Sequence, residues 1–411
     1  RLFSPQAEQL DDPAVEVCRQ VLLDFDTVGI RAKDARTLEI ELIVPVPYFL
    51  NLMGFYPLFP TSRECVETFG YPEWTRPENM MVNGPFLMLR RRVRDRIRFV
   101  KNPHYWDQEN VHFQTMDALA IQSSTTSLNM YLTGKVDWIN DVPATIIPEL
   151  LEQNRDDFQP EAFLGIYYYR LNTTEPPLDD PKFRQALNLA VDKEEIASVV
   201  LGDQVIPAKG ILPPGFPGFS PDVRGYDFDP ERAKQLLKES KYGDDVEALP
   251  LITLTTPGSF GAVISLDMEV VLQMWEKNLG VHVEIQQTEF ATFLKDLNKR
   301  RFQMFDIGWI ADYPDPENFL DILFHGDSSN NHTNYGNPEV DRLLERARTE
   351  TDEATRYQIY HEVEQQVLDD APWVPLWYSG ERYMLVKPNV KDYILSPLII
   401  PRLRFVYLTD K

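Results

Sequence analysis

The chain has 411 residues, 43% of them hydrophobic and 12% aromatic, which is too long for one ordinary core and points to two or three globular units. Its 41 Lys and Arg against 64 Asp and Glu give a formal net charge of −23, an acidic surface that repels nucleic-acid phosphates and anionic lipid. No apolar run reaches the roughly 18 residues that a membrane-spanning helix needs.

Residues 36–43 (RTLEIELI) alternate polar and apolar, as a half-buried strand does. The next segment, VPVPYFLNLMGFYPLFP (44–60), mixes prolines with aromatics, and neither helix nor strand is expected there. NGPF then leads into LMLRRRV and RIRFVK, two alternating runs that predict a hairpin within 82–102. A strand at MDALAIQ, a helical stretch and the turn TGKVDW follow, and 143–153 (PATIIPELLEQ) reads as a helix with proline near its first turn. From Leu164 the strand LGIYYYRLN precedes a helix over 181–201 (PKFRQALNLAVDKEEIASVVL). Helices are predicted at 231–240 and 262–279, the second ending at a glycine suited to a C-cap, with the strand VHVEIQQ after it. FDIGWIADY (305–313) is a short strand running into an acidic loop. Residues 338–370 form a helical pair, and VPLWY and RYMLV return as strands. Strands alternating with helices mean mixed α/β architecture.

Catalytic signatures are missing. There is no HExxH, GxSxG, GxGxxG or GxxxxGK[ST], and DYPDPEN (312–318) lacks the glycine and final glutamate of a calcium-binding loop. The expectation is a non-enzyme with neither cofactor nor metal. Cys18 and Cys65 have no CxxC spacing, and whether they pair stays open. The opening RLFSPQAEQL has neither the charged nor the apolar region of an export signal.

NGPF, KNPHYWDQ, TGKVDW, FRQALNLAVDKEEI, WEKNLGV, GWIADYPDPENF and VPLWY occur in that order from about residue 36 to the carboxyl end. In this the chain resembles the bacterial extracellular solute-binding proteins of family 5, which serve peptide and nickel ABC importers; VPVPYF and the tyrosines at 167–169 tighten the likeness to the oligopeptide branch. The resemblance implies a two-lobed periplasmic-binding-protein-like fold (type II, cluster C) with mixed sheets flanked by helices. It divides the chain into 1–62, the remainder of an extra subdomain and the start of lobe I; 63–164, lobe I; 165–380, lobe II; and 381–411, a return to lobe I. Family chains extend further at the amino end, so lobe I is expected to expose strand edges and apolar faces.

The implied function is capture of oligopeptides by hinge closure, in the periplasm or outside the cell, for delivery to the permease of an ABC importer. The resemblance places the ligand-pairing strand at Gly308, Trp309, Ile310 and Ala311, and the carboxylate that holds a peptide's amino terminus at Asp312. Tyr167, Tyr168 and Tyr169 alternate faces of one strand, so Tyr168 points opposite to the other two and is a further candidate for the cleft. Oligopeptide-binding members carry a disulfide where this chain has Gly165 and Ile310. They hold the ligand carboxylate with basic residues where it has Leu201, Ile264 and Asp306. Lys209 or Arg342 would have to take that role, or the ligand offers no carboxylate there. Two other readings stay open: a scaffold or receptor module that no longer imports, or a different ligand such as a dipeptide, nickel complex, haem or oligosaccharide.

Overall fold

A computed structural model describes residues 28–153, 155–243, 245–258, 264–393 and 403–409. The chain begins in a first half. Strand β1 (Ile30–Ala32) pairs antiparallel with β2 (Leu38–Ile40), inside the predicted 36–43 strand. The proline-aromatic segment does contain single helical turns, at Phe49–Leu52 and Tyr56–Leu58. Pro57 is accommodated because it falls in a first turn, where no N–H is required. Helix α1 (Arg63–Phe69) starts at Ser62, whose hydroxyl accepts from the Cys65 N–H. Cys65 is a free, buried thiol that donates to the Asn79 carbonyl (2.9 Å), while Cys18 lies outside the described residues.

The predicted hairpin forms as β3 (Phe86–Arg92) and β4 (Arg96–Lys101), with β5 (Thr115–Leu119) on its other edge. Helix α2 (Ser124–Leu132), the turn at Gly134 (φ 75°), β6 (Trp138–Ile139), α3 (Ile147–Gln153) and β7 (Phe158–Ala162) complete this half. It leaves Ile43, Leu50 and Tyr71 exposed.

The second half is built on β8 (Gly165–Leu171). Helix α4 (Pro181–Leu189) begins after Asp180, whose carboxylate accepts from the Lys182 and Phe183 N–H groups. Sequence periodicity predicts one helix to residue 201, but the chain breaks after Leu189. Trp275 and Asn278 donate to the Leu187 and Ala190 carbonyls, and Asp192 caps a new turn at Glu195, so the ends are satisfied from outside. Strand β9 (Val205–Pro207), α5 (Pro230–Glu239), β10 (Ile252–Pro257), α6 (Leu266–Leu279), β11 (Val283–Thr288), α7 (Phe290–Leu297) and β12 (Met304–Ile310) follow. α6 ends at Gly280 (φ 72°), as its sequence predicts. The helical pair α8 (Pro338–Thr349) and α9 (Glu353–Asp370) leads to β13 (Trp373–Ser379).

These strands form one sheet of order β11-β10-β12-β8-β13-β9. Both faces are covered. Tyr168 faces a core that includes Leu344, Val363 and Phe324, whereas Tyr169 faces a core with Phe183, Leu236 and Trp275. Pro375 is tolerated inside β13 because the ladder bulges between Pro375 and Trp377.

The chain then returns. Strand β14 (Glu381–Val386) inserts between β6 and β7, and β15 (Val390–Lys391) pairs with β16 (Tyr407–Leu408). Among the described residues no strand pairing joins the two halves. The chain crosses between them twice, from β7 to β8 through Phe163 and Leu164 and from β13 to β14 through Gly380. The crossings lie side by side, because Ala162 is the register partner of Glu381 and Ile166 that of Tyr378. Two adjacent extended segments make a narrow link that bends more readily than either sheet.

Candidate functional site

β12 is paired with β8 along its whole length, from Met304 opposite Leu171 to Ile310 opposite Gly165. On its other side it runs parallel to β10, but only Met304 and Phe305 have partners there. From Asp306 to Ile310 that outer edge has no strand neighbour among the described residues. The Ala311 N–H donates to the Leu164 carbonyl (2.9 Å). By antiparallel alternation Trp309 and Ile307 therefore turn their main-chain groups toward β8, while Gly308 and Ile310 turn theirs to the free edge. Gly308 is exposed in an otherwise covered sheet, so an extended chain can approach its backbone closely. A gap at the carboxyl end of parallel strands, where neighbours diverge, is the usual ligand position in open α/β sheets.

The loop after β12 is tightly organised. Asn318, wholly buried, accepts from the Asp312 N–H (3.0 Å) and the Trp309 indole N–H (3.2 Å), and its own amide donates to Asp312 Oδ2 (3.4 Å). Asp312 is half-buried and has no cationic partner among the described residues. Burial pushes its carboxyl upward, and the Asn318 hydrogen bond opposes that shift. Asp315 is held by Arg356 of α9, and Tyr313 donates to Glu317, whose carboxyl burial pushes up to about 7. Phe55 of the first half packs 5.7 Å from Tyr313, and Tyr48 lies over Arg356. The first half thus reaches this loop.

Gly308, Trp309, Ile310 and Asp312 lie together on this edge and loop, with Trp309 partly packed against the core. Ala311 follows them, but it is fully buried and its N–H is already used. Tyr168 is placed elsewhere. It does point opposite to Tyr167 and Tyr169, but helices cover that face, and its ring stacks 3.6 Å from Trp373 at 0% exposure. It is a core residue. Asn318 is absent from the sequence reading; a polar residue six positions after Asp312 carries no signal by itself. Gly165 and Ile310 do face each other across β8 and β12, and neither can form the disulfide. Lys209, beyond β9, pairs with Asp227, and Arg342 on α8 pairs with Glu339.

Two α/β halves joined by paired crossings, with a free strand edge beside them, define a two-lobed solute-binding protein. The model of the bacterial extracellular solute-binding proteins, family 5, matches residues 4–331, and the chain belongs to that family. Its members are binding proteins for solutes, not enzymes. The oligopeptide-binding protein OppA of Bacillus subtilis is 30% identical over 401 residues, which are 94% of this chain and 71% of that protein. The murein tripeptide binding protein MppA of Escherichia coli superposes with a TM-score of 0.83 at 30% identity, covering 95% of this chain and 77% of its own. Its unliganded open form, at equal identity, gives only 0.67, so the halves here are not set as in that open form. The Haemophilus influenzae OppA in complex with RPPGFSPFR gives 0.80 at 26% identity, covering 99% of this chain and 83% of its own.

Proposed function

We propose that this protein captures oligopeptides outside the cytoplasm and delivers them to the permease of an ABC importer. One observation carries the reading: the main-chain groups of Gly308 and Ile310 face an edge with no strand neighbour among the described residues, where an extended peptide can pair as an added strand. Backbone pairing binds peptides without demanding particular side chains. Asp312, half-buried and without a cationic partner among the described residues, receives the peptide's amino terminus, and Trp309 walls the first side-chain pocket. Residues 63–164 with 381–411 act as one lobe and 165–380 as the other, the segment 1–62 joining the first. They swing about Leu164 and Gly380, and the closed state is favoured because only there do both lobes touch the guest. The similarity to peptide-binding relatives supports the same ligand class.

The test is calorimetry with short unblocked peptides, combined with small-angle scattering before and after ligand. Binding accompanied by compaction is expected. Absence of binding by any peptide, or binding with an unchanged radius of gyration, overturns the proposal.

A further inference from the structure

We infer that the arginine-rich hairpin β3–β4 docks the protein on an anionic phospholipid surface. This docking is separate from peptide capture, since none of the hairpin's residues belongs to the candidate site.

The net charge of −23 is an average over the chain. From Arg90 to Arg98 there are six arginines and one acid, Asp95, a local charge of +5 that leaves −28 on everything else. The ladder sets these arginines in register. Arg90 lies opposite Arg98 and Arg92 opposite Arg96, so four guanidinium groups share one face of the three-stranded sheet. Asp117 of β5, the register partner of Arg98, holds Arg98 at 2.6 Å and Arg96 at 3.6 Å. Asp95 in the turn holds Arg96 at 3.2 Å and Arg92 at 3.7 Å. Arg90, Arg91 and Arg94 are exposed and form no ion pair among the described residues. Two apolar side chains stand among them, Leu89 at 59% exposure and Val93 at 79%, the latter in the turn between Arg92 and Arg94.

Like charges directly opposite each other in a sheet cost stability, and two acids do not neutralise six arginines. An anionic partner removes that cost on contact. Charges more than about 8 Å away are largely screened at physiological ionic strength, so whatever approaches the hairpin meets its positive charge and not the chain's total. Two features choose a phospholipid surface over an acidic protein. Every cation from Arg90 to Arg98 is an arginine, whose planar fork grips phosphate oxygens in pairs. Val93, carried at the tip between two of them, is placed to enter the interface below the phosphates, as the apolar side of a peripheral membrane anchor does. Acids elsewhere on the protein are repelled by the same surface, so it binds in one orientation, with the hairpin toward the lipid.

The experiment is co-sedimentation of the purified protein with vesicles of phosphatidylcholine alone, and with vesicles of about one third phosphatidylglycerol, at about 50 mM salt. Binding is expected only to the anionic vesicles, and raising the salt to about 500 mM should abolish it. The triple variant Arg90→Gln, Arg91→Gln, Arg94→Gln should bind them about a hundredfold more weakly, each arginine near such a surface being worth about fivefold. It should melt no lower than wild type, because like-charge opposition is relieved. The control Arg232→Gln, Lys234→Gln, Lys238→Gln on α5 changes the net charge equally and should bind as wild type does. No binding of wild type to anionic vesicles overturns the inference, as does equal loss in the two triple variants or no loss in the first. Binding to soluble polyglutamate but not to vesicles also overturns it and assigns the face to an acidic protein partner.

Discussion

Arg356 and Asp315 form a two-pronged ion pair inside the protein, Nη2 to Oδ1 at 2.5 Å and Nη1 to Oδ2 at 2.8 Å, with both side chains only 5–6% exposed. The pair ties the loop that carries Asp312 to helix α9, and Arg356 also donates to the Ala347 carbonyl and the Tyr360 hydroxyl. Removing one partner strands the other charge away from water. Arg356→Ala is expected to cost about 3–5 kcal/mol in chemical unfolding. Its peptide affinity should fall too, because Asp312 loses its support. An unfolding midpoint equal to wild type would show that the pair holds nothing.

Asp312 is predicted to act on charge, not on shape. Asp312→Ala should weaken free-amine peptides by about 1.5–3 kcal/mol, the worth of a charge-assisted contact, and leave amino-acetylated peptides nearly unchanged. Calorimetry with matched pairs reads this directly. Equal losses for both members of a pair reject the amine-holding role.

Glu364 of α9 is wholly buried, and its Oε1 accepts the Ile211 (2.6 Å) and Leu212 (2.9 Å) N–H groups. Burial raises its pKa from 4.5 to about 7 despite those two donors. The folded state therefore holds a proton that the unfolded chain has released. The associated stability is complete below pH 4.5 and drains away as pH rises through about 7. Glu364→Gln keeps an acceptor for both donors and has no charge to bury. It should melt higher than wild type at pH 8 and show a flatter decline between pH 4.5 and 7. Glu317, also raised to about 7, leaves a residual slope of the same sign. Parallel melting curves for the two proteins would exclude Glu364 as the source.

Much of this architecture is local and so can be read from the chain. The Asp-Pro and Asn-Pro pairs at 180–181, 229–230 and 337–338 each open a helix, the side chain capping it and the proline occupying the first turn. The helix break near Asp192 is not local, since its carbonyl acceptors are satisfied from α6, some ninety positions along. Alternation correctly separates Tyr168 from its neighbours, but it cannot say which face is open when helices cover both. The site divides in the same way. Asp312 and Trp309 come from a motif, whereas the free edge beside them exists only because β10 parts from β12, a fact of tertiary pairing. Tyr168 accepts from Arg170 (2.8 Å) inside the core, so Tyr168→Phe should cost about 1–3 kcal/mol of stability and spare peptide affinity. Unfolding and calorimetry on that one variant separate core from site.

The link between the halves gives the last prediction. Gly380 follows the last residue of β13 at one crossing, and a Cβ placed on it would come within 2.4 Å of the Gln204 carbonyl oxygen and 3.3 Å of Val205 Cα. Both are backbone atoms, so no side chain can swing aside. Val205 in turn pairs with Ser379, and the strain of Gly380→Ala falls on the contact between β9 and β13. The expected cost is about 1–3 kcal/mol, as for other overpacked sites. Gly84→Ala, with nothing within 4 Å of the added carbon, should stay within about 0.5 kcal/mol of wild type. Because the clash sits beside the crossing, Gly380→Ala should also alter the compaction that peptide induces, read by small-angle scattering at saturating ligand. A variant as stable as Gly84→Ala and as compact as wild type would mean that the crossing yields without resistance, and Gly380 would then have no part in setting the angle between the lobes.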